Sequence, residues 1–257
     1  MIHVRQLKKV YPGGQVALRG IDLDVPKGQL VGLLGPNGAG KSTTIKLLTG
    51  ILRPTSGSAE VAGFDVVKEP LEVKRRIGYV PESGALYESL TGQEYLDLVA
   101  ALHHVPEHES AERIARFVEF FGLEAGLRSK QLKAYSKGMR QKVVISAALL
   151  HNPEVVFLDE PLTGLDANAA LMLKTLITSL AREGRTIVYC SHVLDVVERM
   201  CERVVVIHRG EILADGSVPE LLAASGTPTL EAAFNRMTAT ENLLERAEDM
   251  ARALRGS

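Results

Sequence analysis

The sequence has few cysteines, no surplus of charge of either sign and no long apolar run, and each shortage removes a class of protein. Two cysteines in 257 residues, Cys190 and Cys201, are too few for a disulfide framework. Both lie in stretches that read as buried, so free thiols in a reducing compartment are expected, the cytosol by default. Lys plus Arg number 30 and Asp plus Glu 31, a formal net charge of -1. No field of one sign marks out a binder of nucleic acid or of an anionic membrane. The longest apolar run, VVISAALL at 143–150, falls far short of the ~20 residues that span a bilayer. A membrane role therefore needs another chain to do the crossing. The opening MIHVRQLKKVYPGG has neither an apolar h-region nor a small-residue cleavage site, so no signal peptide is expected. There is no internal repeat and no low-complexity segment. What is present is enough apolar content for an ordinary globular core.

Short strand-like runs open the chain: HVRQL, ALRGIDLDV and QLVGLLG, the last after a Pro26-Lys27-Gly28 break. LVGLLG is apolar on both faces, as a central strand is. A glycine-rich loop follows, then TTIKLLTGIL, whose Ile45, Leu47, Leu48, Ile51 and Leu52 are spaced for a buried helix. SGSAEVAGFDV at 56–66 reads as a hairpin. From about 83 to 152 the pattern is helical: TGQEYLDLVAALHHV, ESAERIARFVEFFGL ended by Gly122, and a helix through VVISAALL with Ser136 as its N-cap. Alternation resumes with EVVFLDE, a helix over 166–183 capped by Asp166 and stopped by Gly184, RTIVYCSH, the short helix VLDVVERM and a hairpin RVVVIHRGEILADG. This order predicts an α/β fold: a central, mostly parallel sheet covered by helices, an N-terminal antiparallel part and a helical insert.

The last helix predicted for the insert starts badly. Lys137, Arg140 and Lys142 put cations where the helix dipole favours anions, and Gly138 costs about 1 kcal/mol against alanine.

Two stretches carry chemistry on their own residues. GPNGAGKST at 35–43 fits the phosphate-binding loop G-x-x-x-x-G-K-[ST]. Its glycines let backbone N–H groups wrap phosphate oxygens, Lys41 reaches the β and γ phosphates, and Ser42 ligates Mg²⁺. An apolar strand before the loop and a helix after it supply the context that the motif demands. VVFLDE at 155–160 is a buried strand delivering Asp159 at its C-terminal end, where P-loop NTPases place a carboxylate near Mg²⁺. Glu160, next along, is then placed to polarise an attacking water.

With YSKGM at 135–139, TGLD at 163–166 and His192 after a strand added in order, the chain resembles ABC-type ATPases over residues 1 to about 238. The S-K-G-M form is similar to that of drug-export and sodium-extrusion members. The resemblance implies a P-loop NTPase core over 1–228, a helical subdomain at about 83–152 inserted in it, and a C-terminal tail over 229–257. It implies that ATP and Mg²⁺ are held by Tyr11, Gly35, Asn37, Gly38, Ala39, Gly40, Lys41, Ser42 and Thr43, with Tyr11 stacking on adenine. It makes Glu160, His192 and Lys41 catalytic, His192 as a γ-phosphate sensor, and Ser42, Glu82 and Asp159 the groups at the metal. It also implies that Ser136, Lys137, Gly138 and Asp166 serve the ATP site of a partner, so that two nucleotide domains face each other head to tail. Cationic, bare backbone at a helix start suits the γ-phosphate held by another subunit.

Two departures stand out. Tyr135, Lys137 and Met139 replace the Leu, Gly and Gln of the commoner LSGGQ, and Glu82 in YVPE stands where the family usually has glutamine. A carboxylate still suits Mg²⁺ as a hard oxygen ligand; the rival reading is a solvated loop glutamate. The rival reading of Tyr11 is a core tyrosine at a strand end, and Asp166 is a helix cap in any case. Leu230, Phe234 and Met237, then Leu244, Ala247, Met250 and Leu254, recur at helical spacing in the tail, which packs on its own domain or braces a dimer.

The implied function is an ATPase that works at the cytoplasmic face of a membrane. It pairs with a second copy or a paralogue and drives transport, in the export direction, through a separate membrane-spanning subunit. The alternative is a soluble ABC-type ATPase acting on nucleic acid or ribosomes. Such members carry long coiled coils or two nucleotide domains per chain, and neither is seen here, so no nucleic-acid partner is expected.

Overall fold

The protein is described from a computed structural model covering residues 1–82, 86–238, 250 and 253. Its centre is a six-stranded sheet of β3 (Leu30–Leu34), β6 (Ile77–Val80), β7 (Val155–Asp159), β8 (Thr186–Cys190), β9 (Arg203–His208) and β10 (Glu211–Ser217), in the order β10-β9-β3-β8-β7-β6. All neighbours are parallel except the β9–β10 hairpin. β3, β7 and β8 are buried at every residue, and successive side chains enter different cores because strand side chains alternate. Val155, Phe157, Val31, Leu33, Val188 and Cys190 join one core. Val156, Leu158, Leu30, Leu34, Ile187 and Tyr189 join the other.

The first core is closed by α1 (Lys41–Leu48) and by a four-stranded antiparallel sheet of β1 (Ile2–Val10), β2 (Val16–Val25), β4 (Ser56–Val61) and β5 (Phe64–Asp65). The second is closed by helices. These are the insert's α3 (Gly92–Leu102), α4 (Glu107–Phe121) and α5 (Lys137–Leu149), followed by α6 (Ala167–Arg182) and α7 (Leu194–Met200). A capping box between Thr91 and Glu94 opens α3, left-handed Gly122 ends α4, and Asp166 caps α6 through the Ala169 N–H. Both cysteines are buried free thiols.

Four elements differ from the sequence reading. The helix expected through Leu52 stops at Leu48, because Gly50 turns left-handed at φ 68°, and Ile51 is left 52% exposed. α2 (Pro70–Arg76) and the four-residue β6 leave little pattern: α2 buries only Val73. α8 (Val218–Ser225) is set by a Ser217–Glu220 capping box that periodicity does not reveal. In the tail, α9 (Leu230–Thr238) buries Leu230 and Ala233 and rests Phe234 and Met237 on the helical core. Arg236 donates to the Ser225 carbonyl, tying α9 to its own domain. Leu244, Ala247 and Leu254 lie outside the described residues, and Met250 is exposed.

The ends of α3 and α5 meet through His103 and His151, whose rings stack at 3.7 Å. His151 Nε2 lies 2.9 Å from the Ile77 carbonyl oxygen, which can only accept, so this nitrogen carries the proton. Burial, then the neighbouring His103, pushes the His151 pKa from its ordinary 6.5 down to about 4. The unfolded chain thus binds the proton first: this contribution to stability is full above about pH 6.5 and is lost as pH falls towards about 4. His151→Gln keeps a donor for Ile77 and does not titrate. Between pH 7 and pH 5 the wild type should lose more stability than this variant, by up to about 1 kcal/mol per pH unit. Thermal unfolding at the two pH values checks this, and equal losses contradict it.

Candidate functional site

Parallel strands present their C-terminal ends at one edge, where open α/β sheets place ligands. Here the edge gathers the Gly35–Gly40 loop after β3, Pro81 and Glu82 after β6, Asp159 and Glu160 at the end of β7, and Ser191 and His192 after β8. A cavity of about 560 Å³ opens there. Tyr11, Asn37, Gly38, Gly40, Lys41, Ser42, Thr43, Glu82, Asp159, Glu160 and His192 line it. Gly35 and Ala39 lie beneath the loop instead: a Cβ on Gly35 would sit 2.2 Å from the Ile207 carbonyl oxygen, and Ala39 is buried. A larger cavity of about 830 Å³ lies in the helical insert and contains none of these groups.

Gly40, at φ 115°, is the N-cap of α1 and gives its first amides no side-chain cap. A ready anion site is the result, since Lys41, Ser42 and Thr43 of this uncapped first turn line the cavity. Lys41 is buried, and its ammonium donates to the carbonyls of Gly35 (2.7 Å) and Pro36 (3.1 Å), folding back over its own loop. Tyr11 follows the end of β1, half-buried, with its hydroxyl 3.2 Å from Thr43 Oγ1 and Lys9 Nζ 5.5 Å from its ring centre. It lines the cavity and is not a core residue.

Asp159 is buried at its strand end, and Tyr79 nearby is pushed up to about 12, by burial first and then by that carboxylate. Glu160 is a non-glycine residue at φ 50°, held there by its N–H bond to the Cys190 carbonyl. The turn aims its carboxylate across the β7–β8 edge, where it accepts from the His192 N–H (2.7 Å), His192 Nδ1 (2.8 Å) and the Ser191 hydroxyl (3.1 Å). A carboxylate only accepts, so Nδ1 carries the proton and Nε2 is the nitrogen left to meet a ligand. Sequence reasoning gave Glu160 and His192 separate places; they are directly bonded.

Ser136, Lys137, Gly138 and Asp166 lie outside this cavity in a second cluster. Ser136 Oγ accepts from the Met139 N–H at 3.2 Å as the N-cap of α5. Gln141 donates to the Pro161 carbonyl, and Lys142 lies 3.4 Å from Asp166. Asp166 is held below the usual carboxylate range by its bond from the Ala169 N–H, then by Lys142. Arg140 is satisfied by two carbonyls and Glu88. Among the described residues Lys137 therefore remains the cation of this turn without an ion pair, its stem lying along Gly164. Gln15, Val16 and Ala17 also line the cavity. They reach it through the β1–β2 hairpin, and nothing in their residue types announces it.

A family model described as ABC transporter matches residues 18–163. The daunorubicin/doxorubicin resistance ATP-binding protein DrrA of Streptomyces peucetius is 39% identical over 229 residues, 89% of this chain and 69% of that one. A solved ATP-binding subunit of an ABC transporter superposes with a TM-score of 0.87 at 33% identity, covering 93% of this chain and 99% of that chain. A dimeric post-hydrolysis state of the ATP-binding cassette MJ0796, bound to ADP and Pi, superposes with a TM-score of 0.77 at 25% identity. It covers 84% of this chain and 98% of that one. The chain belongs to the ABC transporter family, as an ATP-binding and ATP-hydrolysing member.

Gly138 has a reason within its own chain. A Cβ there would lie 2.5 Å from the Gly164 carbonyl oxygen. Gly138→Ala should therefore destabilise by about 1–2 kcal/mol through overpacking, although alanine is the better helix former. Chemical denaturation measures this, and a gain in stability contradicts the close approach.

Proposed function

We propose that residues 1–228, with the insert at about 83–152, form a nucleotide-binding domain that pairs head to tail with a second copy or a paralogue around ATP and Mg²⁺. The observation that carries this is the separation of two incomplete halves on one chain. The phosphate cavity holds Lys41, Asp159, Glu160 and His192, while Ser136, Lys137 and Gly138 stand at an uncovered helix start outside it. Rotation of one copy onto the other presents each helix start to the other's cavity, and the dimeric form of the similar MJ0796 cassette supports it.

In this reading Lys41 exchanges its two loop carbonyls for β and γ phosphate oxygens, and Tyr11 stacks on adenine. The donors suit Mg²⁺: the Ser42 hydroxyl and the Asp159 and Glu82 carboxylates are hard oxygens lining one cavity. Bound there, Mg²⁺ supplies charge neutralisation for the phosphates. Glu160 orients the attacking water, and its bonds from Ser191 and His192 fix the carboxylate so that no reorganisation is needed at reaction. His192 meets the γ-phosphate as a doubly protonated ring, Nδ1–H donating to Glu160 and Nε2–H to a phosphate oxygen, and from the partner Ser136, Lys137 and the Gly138 backbone add donors, with Asp166 at the seam.

A membrane-spanning partner is supported by the exposed apolar side chains Ile51, Leu71, Leu98 and Leu102. Ile51 also borders a cavity of about 360 Å³ with Tyr79, Tyr95, Val99 and His103. Exposed apolar side chains beside such a cavity suit a docking surface. No helix among the described residues is long and apolar enough to cross a membrane. We place the chain at the cytoplasmic face, driving export, the direction supported by the resistance protein it resembles. The tail over 229–257 begins with a helix packed on its own domain.

Glu160→Gln should keep ATP binding and remove the base. Gel filtration with ATP should then show a stable dimer and turnover should fall at least about 100-fold; a variant that stays monomeric with ATP contradicts the pairing.

A further inference from the structure

The guanidinium of Arg140 makes three bonds that join two segments distant in sequence. Nε donates to the Leu132 carbonyl (3.0 Å), Nη2 to the Lys133 carbonyl (2.7 Å) and Nη1 to Glu88 Oε1 (2.9 Å). Behind it the same segments pair through their backbones. Leu132 N–H bonds the Leu90 carbonyl (2.8 Å), Lys133 N–H the Glu88 carbonyl (3.1 Å), and Thr91 bridges to Gln131. A third tie backs the joint: the Tyr135 hydroxyl donates to the Gly126 carbonyl, and a Cβ on Gly92 would meet that hydroxyl at 2.8 Å.

One of the two segments leads straight into the helix start. Lys133 is three residues before Ser136, which starts the helix offered to a partner. An exposed ion pair by itself contributes little. Three donors of one planar fork, however, fix angle as well as distance, which a single ammonium does not.

We propose that Arg140 is a positioning residue for hydrolysis: it holds residues 88–90 against 132–133 and so fixes the angle at which the Ser136 helix start is presented to the other chain. This rests on the reading that Ser136 and Gly138 complete the partner's site. ATP binding to the single chain does not need the clamp; closure in register does.

The test compares the purified full chain with Arg140→Met, Arg140→Lys, Glu88→Gln and the Met/Gln double variant. It follows ATP hydrolysis against ATP concentration and the binding of a fluorescent ATP analogue to the dilute monomer. Arg140→Met should lower kcat about tenfold or more while analogue binding stays within about twofold, and its dependence on ATP should lose its sigmoid shape. Arg140→Lys, which reaches Glu88 but not both carbonyls, should fall between, and the double variant should be no worse than Arg140→Met alone. Should Arg140→Met fail to fold, the exposed Glu88→Gln carries the comparison. Wild-type kcat and sigmoid shape in Glu88→Gln and Arg140→Met overturn the proposal, as does loss of analogue binding in proportion to loss of turnover. A wild-type chain with no turnover and no ATP-dependent dimer overturns the underlying reading as well; an active wild type with unaffected variants overturns the clamp alone.

Discussion

Parallel pairing of β3 with β8 and of β8 with β7 is the constraint from which the site follows. Leu33 is level with Cys190, and Cys190 with Asp159. The glycine loop, the two carboxylates and the His192 turn are therefore brought to one edge by backbone hydrogen bonds, not by contacts among themselves. Register is enforced from both sides, because each strand feeds alternate residues into two cores and a slip of one residue would exchange them. Only after that is fixed does the left-handed turn at Glu160 aim its carboxylate at His192.

The start of α5 shows how local disfavour is distributed. Of its cations, Arg140 and Lys142 are paired or bonded to carbonyls, so the dipole conflict is confined to Lys137. Gly138 gives up about 1 kcal/mol of helix propensity and in return permits contact with Gly164 of the TGLD segment. One glycine thus answers two demands. It packs the helix start against its own chain, and it leaves the backbone bare on the side proposed to meet a partner's nucleotide.

Strong periodicity and motif spacing made most of this legible in advance. LVGLL, VVFLD and TIVYC are apolar throughout and each ends in a site loop; GPNGAGKST names its own fold context. Caps at Ser136 and Asp166 follow from side-chain chemistry over three residues, and the structure has them. What could not be read depends on tertiary closeness. The Glu160–His192 bond, the Lys142–Asp166 pair and the Arg140 clamp join residues whose proximity only the assembled sheet and insert create. Weakly patterned pieces escaped as well: α2 buries one residue, and Gln15 to Ala17 reach the cavity through a hairpin turn.

Mixing two inactive variants tests most directly whether the site is shared between chains. Lys41→Ala disables a chain's own phosphate cavity. Ser136→Asp keeps the α5 cap, since aspartate caps as well as serine, but sets a negative charge against the partner's γ-phosphate. A mixed dimer unites the intact cavity of one chain with the intact helix start of the other. The mixture should hydrolyse ATP at up to about a quarter of the wild-type rate, half of the dimers being mixed with one sound site each. Mixed dimers that form and remain as inactive as either variant alone would contradict the account.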